Sequence, residues 1–232
     1  MEEILRAGLA ELGVAFDDTA IERLRRYYAL LEETNAVMNL TAIRGEEDTA
    51  RLHFLDCAAL LRYLPAGEIS VCDVGAGAGF PGLVLKILRP ELRLTMVDSL
   101  QKRVSFQRAA AEALGLEGVA CVAGRAEEET GLRESFDVVT SRAVARLGML
   151  CELCIPMVKP GGVFAAMKGP DAPEELREAE RAVRLTGGGE ARIETYAIPS
   201  TDVGHSAVLI RKLRPTPAQY PRRFAAIKKS PL

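Results

Sequence analysis

Leucines at 5, 9 and 12 recur at helical spacing and predict a first helix over residues 2–12. Asp17 and Asp18 cap a second over 19–33, with Ile21, Leu24, Tyr28 and Leu31 on one side. A third, over 46–63, stops at Pro65. Residues 1–66 thus read as a helical extension that must pack on the remainder. Residues 35–43, between the second and third helices, are apolar and amide-rich, suited to a structural clip or a binding mouth. From Ile69 the pattern changes. Short β-branched runs at 69–74, 92–97, 119–122, 136–140 and 163–167 alternate with helical periods at 83–88, 101–114, 145–157 and 174–185. That alternation predicts an α/β core over 67–214, with a parallel sheet covered by helices on both faces. The last two runs, 192–198 and 205–212, leave no room for a crossover helix. They close a seven-stranded sheet with an antiparallel last strand.

The first strand runs into Gly75-Ala-Gly-Ala-Gly-Phe-Pro-Gly82. Strand, glycine turn and helix bring a ligand against bare backbone at the carboxyl end of a parallel sheet. The spacing Gly77-x-Gly79-x-x-Gly82 formally satisfies a dinucleotide pattern, but the turn begins at Gly75, and Pro81 lacks an N–H. A pyrophosphate wants such donors at the helix start. Asp73 before the turn and a missing donor within it suit a cationic, phosphate-free ligand, and S-adenosylmethionine fits. A dinucleotide remains the competing reading.

Net charge is only −2, but it is uneven: residues 203–232 hold seven Lys or Arg and no acid. The tail over 215–232 therefore suggests a polyanionic partner, against the plainer reading of a solvated charged end. No apolar run reaches membrane-spanning length, the first residues are no signal peptide, and the five cysteines are an odd number in apolar settings. A reduced, cytoplasmic protein is expected. Cys151-x-x-Cys154 has no second pair or nearby histidine, so it reads as two small core residues, and no metal site is expected.

Site residues should lie at the carboxyl ends of the strands. Asp98-Ser99 ends the second strand, where the acid could accept ribose hydroxyls or cap the next helix. Gly124-Arg-Ala-Glu127 follows the third strand and could meet an adenine edge, although Glu127 also reads as a solvated acid. Arg142, after the fourth strand, could hold a carboxylate, a phosphate or a base. His53 reads as a structural histidine pairing locally with Asp56. With two histidines and no nucleophile–base set, the chain suits methyl transfer to an atom with a free lone pair, such as guanine N7, which needs alignment rather than a base. A non-enzymatic nucleotide- or RNA-binding module on the same fold stays open.

Asn39-Leu-Thr-Ala-Ile43, His53-Phe-Leu-Asp56, Asp73 through Gly82, Val97-Asp-Ser-Leu-x-Lys-Arg-Val104, Gly124-Arg-Ala-Glu127 and Phe136 through Val144 together resemble the RsmG (GidB) family of bacterial ribosomal RNA methyltransferases. Lys168-Gly169 and Tyr220-Pro-Arg-Arg223 extend the resemblance into the tail. It implies a class I, Rossmann-like methyltransferase using S-adenosylmethionine to form 7-methylguanosine in the decoding-region loop of 16S rRNA. Carried over by position, the donor contacts are Gly75, Gly77, Phe80, Asp98, Ser99, Ala126, Glu127 and Arg142, with Arg142 also beside the target base. Lys168, Arg211, Lys212, Arg222, Arg223, Lys228 and Lys229 are expected at RNA phosphates, and a monomer acting on 16S rRNA or the small subunit is expected. Between Arg223 and Lys228 this chain departs from the family, reading Phe-Ala-Ala-Ile where a Gly and a Pro are common.

Overall fold

The computed structural model describes residues 1–232. Strands β1 (Ser70–Val74), β2 (Arg93–Asp98), β3 (Val119–Ala123), β4 (Phe136–Arg142), β5 (Val158–Lys168), β6 (Gly188–Ala197) and β7 (Gly204–Lys212) form one sheet in the order β3-β2-β1-β4-β5-β7-β6. β1 pairs in parallel with both β2 and β4, with Val71 opposite Leu94 on one side and Val138 on the other. Only β7 is reversed, antiparallel to β5 and to β6. The strand order turns back between β1 and β4, and a crevice opens there at the carboxyl ends.

The helix Gly82–Leu88 is apolar all round, and every one of its residues is buried. Such a helix needs cover on both sides. The sheet supplies one, and the helical extension the other: Leu5, Leu9, Leu24 and Leu31 share one hydrophobic core with Leu83, Leu85 and Val71. Lys86 is tolerated there because its ammonium donates to the Pro90 and Leu92 carbonyls, at 2.6 and 2.5 Å. The opposite face of the sheet carries a second core built on the helices Leu147–Cys154 and Ala172–Thr186, with Cys151 and Cys154 inside it.

Three elements differ from the periodicity. The second helix, Asp18–Met38, runs through the expected loop and ends on Asn39 in the left-handed region. Its buried Asn35 still clips the chain, donating to the Thr41 carbonyl and accepting the Thr41 N–H, both at 3.0 Å. The third helix is one run over 46–63 with a π turn at Ala50–Leu55 and a 3₁₀ end at Leu60–Tyr63. β5 begins at Val158, because the Lys159-Pro-Gly-Gly162 stretch is absorbed as a bulge, with a register shift opposite Phe136–Val138, instead of breaking the strand. No helix is long and apolar enough to cross a membrane.

Candidate active site

Two cavities meet at the carboxyl edge. The first, of about 280 Å³, is lined by Val74, Gly75, Val97, Asp98, Ser99, Arg103, Gly124 to Glu127, Ala143, Val144, Leu153 and Phe224. Gly75 takes φ +74, and a Cβ there would lie 2.4 Å from Val144, so only glycine allows the turn to pass this close to the crevice. Asp98 organises the wall. Its carboxylate accepts the Gly77 N–H at 2.9 Å and the Leu100 N–H at 2.9 Å, tying the glycine turn to the start of the helix Gln101–Ala113. The oxygen on Gly77 also takes a long bond from Arg103 at 3.5 Å, while the one on Leu100 keeps a lone pair for a further donor.

Glu127 tests what fits here. Its side chain is 4% exposed, and its Oε1 has no hydrogen-bond partner, with the Arg125 guanidinium only at 3.8 Å. A buried unpartnered carboxylate oxygen costs free energy unless a ligand donor meets it. An adenine amine at Glu127 and ribose hydroxyls at Asp98 and Ser99 supply such donors, and no cluster of phosphate-binding amides opposes them. The lining accordingly fits S-adenosylmethionine.

The second cavity, of about 580 Å³, is lined by Ile43, Leu52, His53, Asp56, Arg142, Ala143, Met167, Lys168, Gly169, Glu175, Val203 and His205. Ala143 lines both cavities, and its φ of +56 is unusual for a residue with a Cβ. Backbone held this way marks where the two spaces join. The floor is a closed polar network centred on Asp56. One carboxylate oxygen accepts from Arg142 at 2.8 Å, while the other accepts from Tyr196 at 2.9 Å and His205 Nδ1 at 2.8 Å. Burial pushes the Asp56 carboxyl up, but His205 and Arg142 outweigh it and hold it below its ordinary value. Arg142 also donates to the Leu52 carbonyl at 3.1 Å and to His53 Nδ1, and lies 5.1 Å over the Phe80 ring. Because a guanidinium only donates, His53 Nδ1 accepts and Nε2 carries the proton, which goes to Thr41 Oγ1 at 2.8 Å. The imidazole stacks on Phe80 at 4.3 Å.

The description rRNA small subunit methyltransferase G (GidB) matches residues 20–202. The chain belongs to this family. It is 45% identical to the ribosomal RNA small subunit methyltransferase G of Geobacillus thermodenitrificans, over 98% of this chain and 97% of that one. It is also 45% identical to the protein of the same name from Staphylococcus epidermidis, over 99% and 98%. Among solved structures, TrmN from Thermus thermophilus shares the fold with a TM-score of 0.57 at 21% identity, covering 77% of this chain and 53% of that one. Precorrin-6y C5,15-methyltransferase from Geobacter metallireducens does so at 0.51 and 17%, covering 67% and 87%. As a member of its family, the chain is an S-adenosylmethionine-dependent methyltransferase of small-subunit ribosomal RNA, which removes the dinucleotide and binding-module alternatives.

Within this methyltransferase, five of the residues expected at the donor, Gly75, Asp98, Ser99, Ala126 and Glu127, lie together in the lining of the first cavity. Other residues move. Gly77 shapes the turn: its N–H goes to Asp98 and its carbonyl to Gln107 at 2.9 Å. Phe80 lines neither cavity and instead supports His53 and Arg142 from below. Arg142 stands in the second cavity, not the donor cavity. Asp73, read as facing a cationic ligand, is wholly buried, with one oxygen on the Gly82 N–H at 2.8 Å and its carboxyl pushed up to about 8 by burial and, more weakly, by the Asp98 charge.

Several expected phosphate contacts are also reassigned. Lys212 is 1% exposed and paired internally with Glu134 at 2.9 Å, so it cannot reach RNA. Arg211 is exposed but pairs across from Val163, toward the amino ends of the parallel strands and away from the cavities. Lys168 lines the second cavity but is neutralised by Glu175 at 2.6 Å, and it clamps the Ala145 carbonyl at 2.7 Å. Arg222 grips the fully buried Glu152 through Nε at 2.7 Å and a second nitrogen at 2.6 Å. Arg223, Lys228 and Lys229 alone of the tail set are exposed.

Sequence reading missed that Asp56 serves Arg142, Tyr196 and His205 rather than His53. The partners lie 86 to 149 residues away in sequence, and only the motif His53-Phe-Leu-Asp56 marked the spot. A pH dependence follows. Burial first, and the Arg142 charge second, hold His53 down to about 3. The unfolded chain therefore binds a proton between its ordinary value of 6.5 and 3 that the folded chain refuses, so His53 lowers stability as pH falls through that window. His205, raised by Asp56, acts the other way, its contribution being lost as pH rises past its folded value. Asp73, with its carboxyl at about 8, opposes His53 across the same window, so the test is the difference between two proteins: from pH 7 down to pH 4.5 the Tm of His53→Gln should gain on that of wild type. An equal slope in the variant would assign the effect to other groups.

Proposed function

We propose that this methyltransferase forms 7-methylguanosine at one guanine in the decoding-region loop of 16S rRNA, acting as a monomer in the cytoplasm. What supports the reading is the second cavity, which meets the first at Ala143 and carries on its wall the fixed positive charge of Arg142. Of the titratable groups there, His53 has both ring nitrogens engaged and Asp56 both oxygens occupied, while His205 meets Asp56 through Nδ1 and leaves Nε2 to the cavity. An exocyclic amine or a ribose hydroxyl must lose a proton on methylation, whereas guanine N7 offers a lone pair at neutral pH. S-adenosylmethionine, when bound, supplies the electrophilic methyl group. The chain's residues then hold the base in line, exclude water and keep the ring edge oriented.

Arg142, braced by Asp56, His53 and the Leu52 carbonyl, presents a fixed positive charge on the cavity wall. That charge suits the electron-rich O6/N7 edge of guanine. Exposed Arg223, next in the chain to Phe224 of the first cavity's lining, and exposed Lys228 and Lys229 further along the same segment offer cations for phosphates.

A methyl-transfer assay with radiolabelled donor tests this, using deproteinised 16S rRNA and small subunits that lack the modification. After digestion, label should appear in 7-methylguanosine with one of the two substrates. Label in any other nucleoside would overturn the choice of acceptor atom.

A further inference from the structure

The tail reaches the first cavity. Phe224, at the start of the helix Phe224–Lys229, lies in its lining, and the Arg125 guanidinium sits 5.0 Å from the centre of its ring. This helix is not a loose end. Ile227 is fully buried in the second core, Arg222 is clamped on Glu152, and Arg133 donates to the Tyr220 carbonyl at 2.7 Å and to that of Thr216.

We propose that Phe224 and Arg125 form an aromatic lid that stacks on the adenine ring of the methyl donor; the proposal rests on the reading of the first cavity as the S-adenosylmethionine site. Position within the cavity selects adenine over the rest of the donor. Phe224 reaches the wall formed by Arg125, Ala126 and Glu127 after β3. Glu127 there offers the buried unpartnered oxygen that an exocyclic amine would meet. Asp98 and Ser99 stand at the end of β2 for the ribose, and Gly75, at the end of β1, is left for the amino-acid end. A half-buried phenyl face and a planar guanidinium beside a purine-sized space present two π-type surfaces, which stack on any base without reading it.

Calorimetry on the intact protein tests it, with S-adenosylmethionine, S-adenosylhomocysteine and 5′-methylthioadenosine as probes. Phe224→Ala should weaken all three by a similar factor, roughly tenfold, the order of one aromatic–base stack. Phe224→Tyr should restore affinity. Phe224→Leu keeps the apolar bulk that docks the helix and should still bind several-fold more weakly than wild type. Wild-type affinity in the leucine variant would reduce Phe224 to a docking residue and overturn the lid. So would unchanged affinity in Phe224→Ala with an unaltered melting curve. If wild type binds none of the probes, the donor-site reading itself fails, and the lid with it.

Discussion

Arg142→Met should lower methyl transfer by about 10²–10³-fold while donor affinity stays within about twofold. The argument is positional. Arg142 faces the second cavity and shares none of the lining of the first. Its guanidinium is 15% exposed and fully engaged on its inner side. Methionine preserves most of the volume over Phe80 but removes the charge. It also strips Asp56 of its guanidinium partner, although His205 and Tyr196 keep the carboxylate from being stranded. A stability loss of about 1–3 kcal/mol is therefore expected, below the usual cost of orphaning a buried charge. The paired measurements are kcat/KM on unmodified small subunits and the Kd for S-adenosylmethionine by calorimetry. A Kd that rises as steeply as kcat/KM falls would restore Arg142 to the donor contacts that the family resemblance assigns to it.

The second large effect concerns Arg222. Arg222→Ala leaves Glu152, which is fully buried, without its bidentate partner. Breaking such a pair costs about 3–5 kcal/mol if the remaining charge stays buried. Here it need not, because the tail can undock and let water reach Glu152. The loss is then capped at the docking free energy of the tail, and its consequence moves to the cavity that the tail covers. The expected result is a tail cleaved early by protease and a weaker donor Kd, with a core that melts cooperatively.

Replacing Arg223, Lys228 and Lys229 together should do the reverse. Donor affinity should hold, while the slope of log K for RNA against log salt flattens by roughly two to three units if each cation meets one phosphate. A protected tail in Arg222→Ala, or a changed donor Kd in the triple variant, would break this division of labour between anchoring and RNA contact.

Local pattern was enough for the order of elements, the parallel sheet with its reversed strand, the glycine turn, and the acids at the ends of β2 and β3. Those features depend on neighbours a few residues apart: the two-residue period of a strand, the freedom of glycine, the missing N–H of Pro81. Identical residue types with distant partners were not legible. Asp56 looked like a mate for His53, three residues away, yet it is the hub for Arg142, Tyr196 and His205. Lys212 and Arg222 looked like members of a basic surface, yet each neutralises an acid through a long-range pair, Glu134 and the buried Glu152.

The reason is the same in each case. A charge is exposed or paired according to what the folded chain brings to it, and burying an ion without a partner is too costly to persist. The glycine turn, by contrast, pointed to a methyl donor from residue order alone. Folding settles which cations are exposed, that Arg142 lines the second cavity and not the first, and that Phe224 of the tail lines the first, since all three depend on packing between segments more than 60 residues apart.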